Sequence, residues 1–376
     1  MVYNIGKNSH LFMRGRVALY SILKALKIGR GDEVIMQAFT CLAVPSPVML
    51  LGAKPIYVDI DPAGYNIDIT SLESRITSKT RAIIIQHTFG IPADIRGVVE
   101  IAEKHGLFVI EDCCHAVGSL YEGIEVGTFG DAAFYSTEWA KPFNTGIGGV
   151  LVVNDTRYKK NIEDQYSRLV APPLKDIVML RSQYLLHETL LRPAFYWRIR
   201  DIYRFFSKKG MIIGTFSREE LESKKPEYFN YRMSNWQARL LNDKMLEMEK
   251  YVAGKKNLKK QYDDLLSRMG MPALNVSDRA DPVLLRYPMM VEDKEEFLTR
   301  AKAKRIEMGN WFTSPVHPKE EREWGDVGYD KSSCPEAERK ARCCVNLPMH
   351  SKIKEKELNA IFEFIAQNRE SVTGYC

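Results

Sequence analysis

The sequence predicts an α/β fold built around a mainly parallel sheet, and two features of its pattern support this. Short apolar runs alternate with helical periodicity between residues 17 and 153, and strands that alternate with helices are joined by crossovers that cover both faces of a parallel sheet. The run Leu107 to Ile110 ends in the acids Glu111 and Asp112, as a buried parallel strand would. After about Met271 the pattern changes, and two strand-like runs with two helices predict a smaller α+β domain.

The predicted elements follow one another with short connections. A helical pattern begins at Val17, directly after Arg14, Gly15 and Arg16, and stops at Gly29. The alternation then continues through Glu33 to Met36, Leu42 to Leu51, Pro55 to Asp59, Arg81 to His87, Asp94 to His105, the strand that ends at Asp112, Asp131 to Thr137, and Val150 to Val153. We therefore place a large domain at residues 1–240.

The second half of the chain is predicted with fewer elements. A long helix is expected from Trp236 towards Met269, because glutamate and lysine recur there at helical spacing. The smaller domain, residues 241–376, is expected to contain these runs and helices: Val283 to Val291, a run around Trp311, Lys294 to Lys304, and Glu355 to Gln367.

The segment from Asp155 to Glu227 breaks the alternation. Residues 192–209 carry six basic residues, one acid and six aromatics. Three interpretations remain open: a partly packed helical excursion, a basic surface that contacts an anionic substrate or a neighbouring subunit, and, least favoured, attachment to a membrane face. The periodicity is too irregular to choose among them.

Composition indicates a globular protein of 376 residues, with 45% hydrophobic and 27% charged residues. A net charge of +6 is small for this length, so we expect no nucleic-acid partner. No apolar run reaches the roughly 18 residues of a membrane span, and the first residues lack the apolar core of a signal peptide. Seven cysteines without a CxxC motif favour reduced thiols, so we expect a cytoplasmic location.

Four polar side chains are expected at the carboxyl edge of the sheet, where ligands bind in such folds. They follow predicted strand ends: His87, Asp112, Ser136 and Lys141. A lysine that forms a Schiff base and a carboxylate that keeps a pyridine nitrogen protonated are the two parts needed to hold pyridoxal 5'-phosphate. The alternative is a surface lysine beside an ordinary turn containing Gly146, since an isolated aspartate and lysine are common.

Other site types are less well supported. Gly15 at a helix start suits a phosphate group, although it also fits a plain helix start. Neither GxGxxG after the first strand nor GxxxxGK[ST] occurs, which disfavours a dinucleotide or a nucleotide-hydrolysing site. Three consecutive residues, Cys113 to His115, cannot readily surround zinc tetrahedrally, so no metal site is predicted.

Seven motifs in order resemble the DegT/DnrJ/EryC1/StrS family of pyridoxal-phosphate sugar aminotransferases. They are GRVAL, GRGDEVI, GAKPIYVDID, EDCCHAVG, YSTEWAKPFNTGIGG, NYRMS and VNLPMH. The resemblance covers nearly the whole chain and is weakest at residues 166–228. It implies an aspartate-aminotransferase-like fold of type I, with a large, doubly wound, mainly parallel sheet and a smaller C-terminal domain. It also implies a homodimer whose active sites are shared between subunits.

The resemblance assigns roles to individual residues. Lys141 would be the Schiff-base lysine, Asp112 the partner of the pyridine nitrogen, and His115 the residue near the cofactor's phenolic oxygen. The remaining cofactor-binding positions, around the phosphate or beside the ring, would be Gly15, Arg16, Val17, Cys41, Ser136 and, from the second subunit, Asn230. Candidates for contact with the substrate are His87, Arg232, Trp311 and His317.

Three positions depart from the family pattern. Arg16 stands where threonine is usual, so a guanidinium would replace a hydroxyl contact to phosphate. Cys41 stands where an aromatic often stacks on the cofactor ring, and Ile147 replaces a frequent glutamate.

The implied reaction transfers the amino group of L-glutamate to a keto group of a nucleotide-linked deoxysugar, for polysaccharides or glycosylated natural products. Alternatives within the family are a sugar 3-dehydratase, in which the lysine is usually histidine, and a cyclitol or aromatic-amine aminotransferase. A sensor that binds the cofactor without turnover is the alternative from another class.

Overall fold

The computed structural model describes residues 9–190, 212–222, 224–271 and 273–373. In those residues the strands are β1 Ser9–Phe12, β2 Glu33–Gln37, β3 Thr40–Cys41, β4 Lys54–Val58, β5 Thr80–Gln86, β6 Phe108–Asp112, β7 Leu120–Tyr121, β8 Ile124–Glu125, β9 Ala132–Ser136, β10 Gly149–Val153, β11 Ala280–Asp281, β12 Tyr287–Met290, β13 Val316–His317 and β14 Cys344–Leu347.

Helices in the described ranges alternate with these strands in the first half and dominate the second. They are α1 Gly15–Ala25, α2 Pro45–Leu50, α3 Ile69–Leu72, α4 Ile95–His105, α5 Lys159–Tyr166, α6 Leu174–Leu190, α7 Arg218–Leu221, α8 Asn235–Met245, α9 Met248–Arg268, α10 Lys294–Ala303, α11 Pro335–Cys343 and α12 Glu355–Gln367.

One large sheet organises the described chain, with the strand order β1-β10-β9-β6-β5-β2-β4. The pairs among β4, β2, β5, β6 and β9 are parallel, and β10 is antiparallel to both of its neighbours. Both faces of the sheet are covered, because Ile84 packs in one core cluster while Ile83 and Ile85 pack in the other. The predicted α/β fold with a mainly parallel sheet is confirmed.

Short sheets tie the second half of the chain to the first. Strand β13 pairs in parallel with β3, which sets His317 beside Cys41. Strand β11 joins the β7–β8 hairpin, while β12 and β14 form a separate antiparallel pair. Residues of the second half are therefore carried to the edge of the large sheet by backbone hydrogen bonds.

Two predicted elements were wrong. The long helix from Trp236 to Met269 is two helices, α8 and α9, with Leu246 and Glu247 between them. The segment around Trp311 is not a strand; it lies in an irregular connection before β13. Helical spacing alone did not reveal the break, since charged residues continue on both sides of it. The two-domain division remains a prediction, and its boundary after residue 240 falls inside α8.

The segment that breaks the alternation contributes α5, α6 and α7. Helix α6 has apolar side chains on its exposed face, with Leu174 74% and Leu185 65% exposed, although Leu180 is buried. The basic aromatic stretch 192–209 lies outside the described residues. Among the helices that are described, none has the length and apolar character needed to cross a membrane.

Close contact between α1 and the large sheet depends on a glycine. A Cβ on Gly149 would lie 2.3 Å from the carbonyl oxygen of Arg14 and 2.5 Å from the amide nitrogen of Gly15. Neither backbone atom can move without displacing the start of α1. By contrast, a Cβ on Gly254, within α9, would have no heavy atom nearby in the described structure.

We expect Gly149→Ala to lower the free energy of unfolding by about 3 kcal/mol, because the methyl group overlaps backbone atoms. The control Gly254→Ala should raise it by about 0.5–1 kcal/mol through its higher helix propensity. Urea unfolding of both variants measures the difference. Equal effects at the two positions would contradict the close approach at α1.

Candidate active site

The carboxyl ends of parallel strands meet at one edge of the large sheet. Asp112 ends β6 and lies opposite Gln86 of β5 and Phe134 of β9. Ser136 ends β9, and Lys141 follows in the next turn, where its amide donates to the carbonyl of Glu138 at 2.8 Å. The predicted acid, serine and lysine therefore follow adjacent strands.

Asp112 is a buried carboxylate with a fixed orientation. Its Oδ1 accepts a hydrogen bond from the amide of Cys114 at 3.0 Å. Burial raises the pKa of Asp112 above its ordinary value, against the opposing effects of the Cys114 hydrogen bonds and the charge of Lys141. A cationic partner would stabilise its ionised form, which is what a protonated pyridine nitrogen supplies.

His115 is held as a neutral ring with a defined tautomer. Its Nδ1 accepts the amide hydrogen of Phe89 at 3.1 Å, so the proton of the neutral ring resides on Nε2. Burial, together with Lys141 and Arg286, lowers the pKa of His115 well below its ordinary value. His115 therefore presents a hydrogen-bond donor at Nε2.

An indole forms a wall beside the lysine. The Lys141 Nζ lies 4.9 Å from the ring centroid of Trp311, and the His115 ring stacks on the same indole at 5.7 Å with an interplanar angle of 13°. Asn346 fixes the backbone at Trp311, because its Oδ1 accepts from the Trp311 amide at 2.8 Å and its Nδ2 donates to the Trp311 carbonyl at 3.0 Å. Trp311 is thus positioned at Lys141 from the second half of the chain.

His317 and Cys41 are neighbours through the pairing of β13 with β3. Burial is the main cause that lowers the pKa of His317 to about 4, with further contributions from Lys294 and Lys141. Its Nδ1 lies 2.8 Å from the Thr313 hydroxyl oxygen. Burial raises the pKa of the Cys41 thiol, although Arg16 and Lys141 oppose this. His317 and Cys41 are therefore both neutral near Lys141.

The start of α1 abuts the end of β9. A Cβ on Gly15 would lie 3.2 Å from the Cβ of Ser136 and 3.3 Å from the carbonyl oxygen of Tyr135. The amide of Val17 is already used, since it donates to the Arg14 carbonyl at 3.1 Å. Gly15 and Ser136 are thus adjacent, as a shared phosphate site requires.

Two buried arginines occupy this end of the site. Arg14 donates to Glu138 at 2.8 Å, and Arg16 pairs with Glu220 and lies 3.8 Å from Glu138. Burial alone would lower the pKa of Arg16, but Glu220 raises it well above its ordinary value. Burial likewise tends to raise the pKa of Glu220, but Arg16 and Arg14 hold it below the ordinary value. Arg16 and Glu220 are therefore an ionised pair.

Asn230 and Arg232 are exposed, near β1. The Asn230 carbonyl accepts from the Val170 amide at 3.0 Å, and Arg232 forms a backbone bridge with Phe12. The resemblance assigns Asn230 to the site of a second subunit, and its exposure is compatible with that role.

His87 has a structural environment, unlike the pocket position expected of it. It is completely buried; its Nδ1 accepts from the Ala93 amide and its Nε2 lies 3.2 Å from Glu111. Glu111 also accepts three backbone N–H groups, from Gly127, Phe129 and Gly130. His87 therefore offers no free ring nitrogen to a substrate, because both are engaged within the core.

One cluster in the described part of the chain could in principle hold a metal. It consists of His87, Glu111 and Cys113, with ligand atoms within 4.8 Å of one another. The internal hydrogen bonds already occupy both nitrogens of His87, and burial raises the pKa of the Cys113 thiol well above its ordinary value. His87 and Glu111 are therefore already engaged in hydrogen bonds, and the expectation of no metal site stays a prediction.

Several site residues were missed by the sequence analysis. The Arg286 guanidinium lies 4.4 Å from the Trp311 ring centroid, and Lys255 is a buried lysine near Arg286. Glu138 and Glu220 were also missed. Glu138 could have been predicted, because it lies between Ser136 and Lys141 in the sequence. Glu220 and Arg286 are distant from these residues in the sequence, so no local pattern indicated them.

The chain is similar to known proteins in sequence and in fold. The chain matches the model of the DegT/DnrJ/EryC1/StrS aminotransferase family over residues 10–185 and 197–366. It is 28% identical over 357 residues to a pleiotropic regulatory protein of Geobacillus stearothermophilus, covering 94% of this chain and 82% of that one. It is 45% identical over 141 residues to the GDP-perosamine synthase of Escherichia coli O157:H7, covering 38% of this chain and 39% of that one.

A solved structure shares the fold. The aminotransferase from Psychrobacter cryohalolentis superposes with a TM-score of 0.76 at 22% identity, covering 97% of this chain and 88% of that one. The expected aminotransferase fold of type I is confirmed.

Lys255 yields a prediction about stability. Burial, with a contribution from Arg286, lowers its pKa from 10.5 to about 7. Between these values the folded state binds fewer protons than the unfolded state, so wild-type stability falls by up to about 1.4 kcal/mol per pH unit as the pH drops. Lys255→Met should remove this loss and raise the free energy of unfolding. The gain should be largest near the lowered pKa of Lys255, about 7.

Urea unfolding across that pH interval measures the effect, with the exposed lysine variant Lys260→Met as control. A gain at Lys255 that does not grow as the pH falls would contradict the assignment.

Proposed function

We propose that this chain, which belongs to the DegT/DnrJ/EryC1/StrS aminotransferase family, transfers the amino group of L-glutamate to a keto group of a nucleotide-linked deoxysugar. The observation that carries the proposal is the convergence of Lys141, Asp112 and His115 at one edge of the sheet. A reactive lysine, a buried carboxylate and a neutral histidine donor are the groups that pyridoxal 5'-phosphate needs around its ring.

The residues fit this cofactor at its ring end. Lys141 would hold the aldehyde carbon, the Asp112 carboxylate would face the pyridine nitrogen, and the Nε2 proton of His115 would be donated to the phenolic oxygen. Cys41 would lie beside the ring. The phosphate would be held by Gly15, Arg16 and Ser136, with Asn230 from a second subunit. Val17, which the resemblance also assigned to this group, already donates its amide to the Arg14 carbonyl. When bound, the cofactor supplies an electron-accepting ring for the carbanion formed at the donor's α-carbon.

The chain's own residues would move and hold protons in this reaction. The amine of Lys141, once released, removes the α-proton of L-glutamate and later returns a proton in the second half-reaction. Asp112 stays ionised and stabilises positive charge on the ring. Trp311 confines the path of the Lys141 side chain, because the indole lies 4.9 Å from its Nζ. 2-Oxoglutarate leaves, and the keto acceptor is aminated.

A sugar acceptor is supported by a relative, since the E. coli protein is a GDP-perosamine synthase. The residues proposed to contact the acceptor are Trp311, His317 and, near a subunit boundary, Arg232. The pocket would be completed by the divergent region 166–228 and by the second protomer of a homodimer. We propose a cytoplasmic role in polysaccharide or glycosylated natural-product biosynthesis, with no nucleic-acid partner.

A second candidate is a sensor that binds the cofactor without turnover, favoured by the name of the Geobacillus stearothermophilus relative. Loss of the cofactor's yellow colour on addition of L-glutamate, with release of 2-oxoglutarate, distinguishes the aminotransferase. A sensor would keep its colour and release nothing. A 3-dehydratase is disfavoured because Lys141 is present.

Replacing Lys141 by alanine should abolish both the visible absorbance of bound cofactor and transamination, because the covalent attachment and the proton carrier are lost together. The exposed lysine variant Lys24→Ala should retain both. Absorbance spectra and 2-oxoglutarate release report the two properties. Normal turnover by the alanine variant would disprove the assignment.

Asp112→Asn should leave the cofactor attached while lowering kcat by more than about a hundredfold, because the amide cannot maintain a protonated ring nitrogen. Single-turnover kinetics with L-glutamate measure the loss, and the absorbance spectrum reports the attachment. Unchanged kcat with full cofactor occupancy would remove Asp112 from the proposed mechanism.

The acceptor is tested with a panel of nucleotide-linked ketosugars and cyclitol ketones, using L-glutamate and L-glutamine as donors. We expect amination of a nucleotide-linked ketosugar and no reaction with free cyclitol ketones. The reverse preference would replace the proposed acceptor while keeping the aminotransferase chemistry.

A further inference from the structure

Four charged side chains form what we call the phosphate-end cluster: Arg14, Arg16, Glu138 and Glu220. The side chains of the two arginines and of Glu220 are at most 5% exposed, and that of Glu138 is 13% exposed. Two cations and two anions leave the cluster formally neutral. This is unusual for the end of a site that receives a phosphate, where uncompensated donors or cations are expected.

Arg16 pairs with Glu220 and also lies 3.8 Å from Glu138. It follows Gly15, which abuts Ser136, and its charge acts on the Cys41 thiol. On its other side the guanidinium lies 4.8 Å from the Phe216 ring centroid. The Arg16 side chain therefore links the start of α1 to the segment that carries Glu220.

Glu220 comes from the divergent region and is held there locally. Ser217 caps α7 by accepting the amide of Glu220, while Glu220 Oε2 accepts the amide of Ser217 at 3.0 Å. Arg14 fastens the same segment, because it donates to the carbonyls of Gly214 and Thr215 at 2.8 and 2.9 Å. The second oxygen of Glu220, Oε1, is the one that pairs with Arg16.

A phosphate monoester brought to Gly15 and Ser136 would add up to two negative charges beside two carboxylates. The Glu220 carboxylate would then repel the phosphate. It also pairs with the Arg16 guanidinium, which would otherwise bind the phosphate. In a site screened from water such an interaction is considerably stronger than at an exposed surface.

We infer that Arg16 is an exchangeable anion ligand, paired with Glu220 before the cofactor binds and with the cofactor's phosphate afterwards. Glu220 is thus a built-in competitor that weakens affinity for the phosphate group. The inference rests on the proposed function, since it assumes that pyridoxal 5'-phosphate enters this site. It assigns to the divergent region a role in cofactor affinity.

Glu220→Gln tests the competition while retaining the cap, because glutamine can also accept the Ser217 amide. The matched control is Glu219→Gln, an exposed acid on the same helix. Dissociation constants are measured by absorbance for pyridoxal 5'-phosphate and for pyridoxal, which reacts with lysine but lacks the phosphate. Glu220→Gln should bind pyridoxal 5'-phosphate about tenfold more tightly, equivalent to about 1.4 kcal/mol, with pyridoxal unchanged.

The control should change neither constant. Weaker binding of pyridoxal 5'-phosphate by Glu220→Gln, or an equal change for both compounds, would overturn the inference. Failure of the wild type and all variants to bind either compound would instead refute the proposed function, so the two failures are distinguishable.

Inorganic phosphate supplies a readout that does not involve the lysine. It should raise the Tm of Glu220→Gln more than that of the wild type, because the buried guanidinium then lacks its strongest partner. The double variant Arg16→Gln/Glu220→Gln should lose this response and the preference for pyridoxal 5'-phosphate over pyridoxal. A phosphate response that persists in the double variant would remove Arg16 as the ligand.

Discussion

Burial of the Asp112 carboxylate at the end of β6 is the constraint around which the site is arranged. Its position is fixed by register, since β6 pairs with β5 on one side and β9 on the other. A buried carboxylate is stable as an anion only near a compensating charge or donors. The Cys114 amide provides one donor and Lys141 a nearby cation, and a cationic ring nitrogen would add a further compensating charge.

The sequence predicted the strand ends well, because their apolar runs stop where polar side chains begin. Asp112, Ser136 and Lys141 were found in this way, whereas the resemblance was needed to give His115, Cys41 and Trp311 a role. His87 was misassigned to the pocket: a strand-end position does not reveal that Glu111 and the Ala93 amide engage both ring nitrogens. The Arg16–Glu220 pair joins residues 204 positions apart, and no local pattern encodes such a contact.

The second half of the chain supplies aromatic side chains beside Lys141, since the Lys141 Nζ lies 4.9 Å from the Trp311 ring centroid. Pairing of β13 with β3 carries His317 to Cys41, and the two Asn346 hydrogen bonds orient the connection that carries Trp311. Neutral rings are therefore set close to Lys141. A neutral His115 and a His317 whose pKa is lowered to about 4 add no positive charge beside Lys141.

The burial of the arginine at position 16 explains why the segment around α7 must supply an acid. A guanidinium buried without a partner is strongly destabilising, and removing one member of a buried pair typically costs about 3–5 kcal/mol. Glu220 satisfies Arg16 in the free protein, and Arg14 holds the segment that carries Glu220 through the carbonyls of Gly214 and Thr215. The pairing that prevents an unpartnered buried guanidinium in the free protein therefore also lowers affinity for an incoming anion, so these two requirements oppose each other at Arg16.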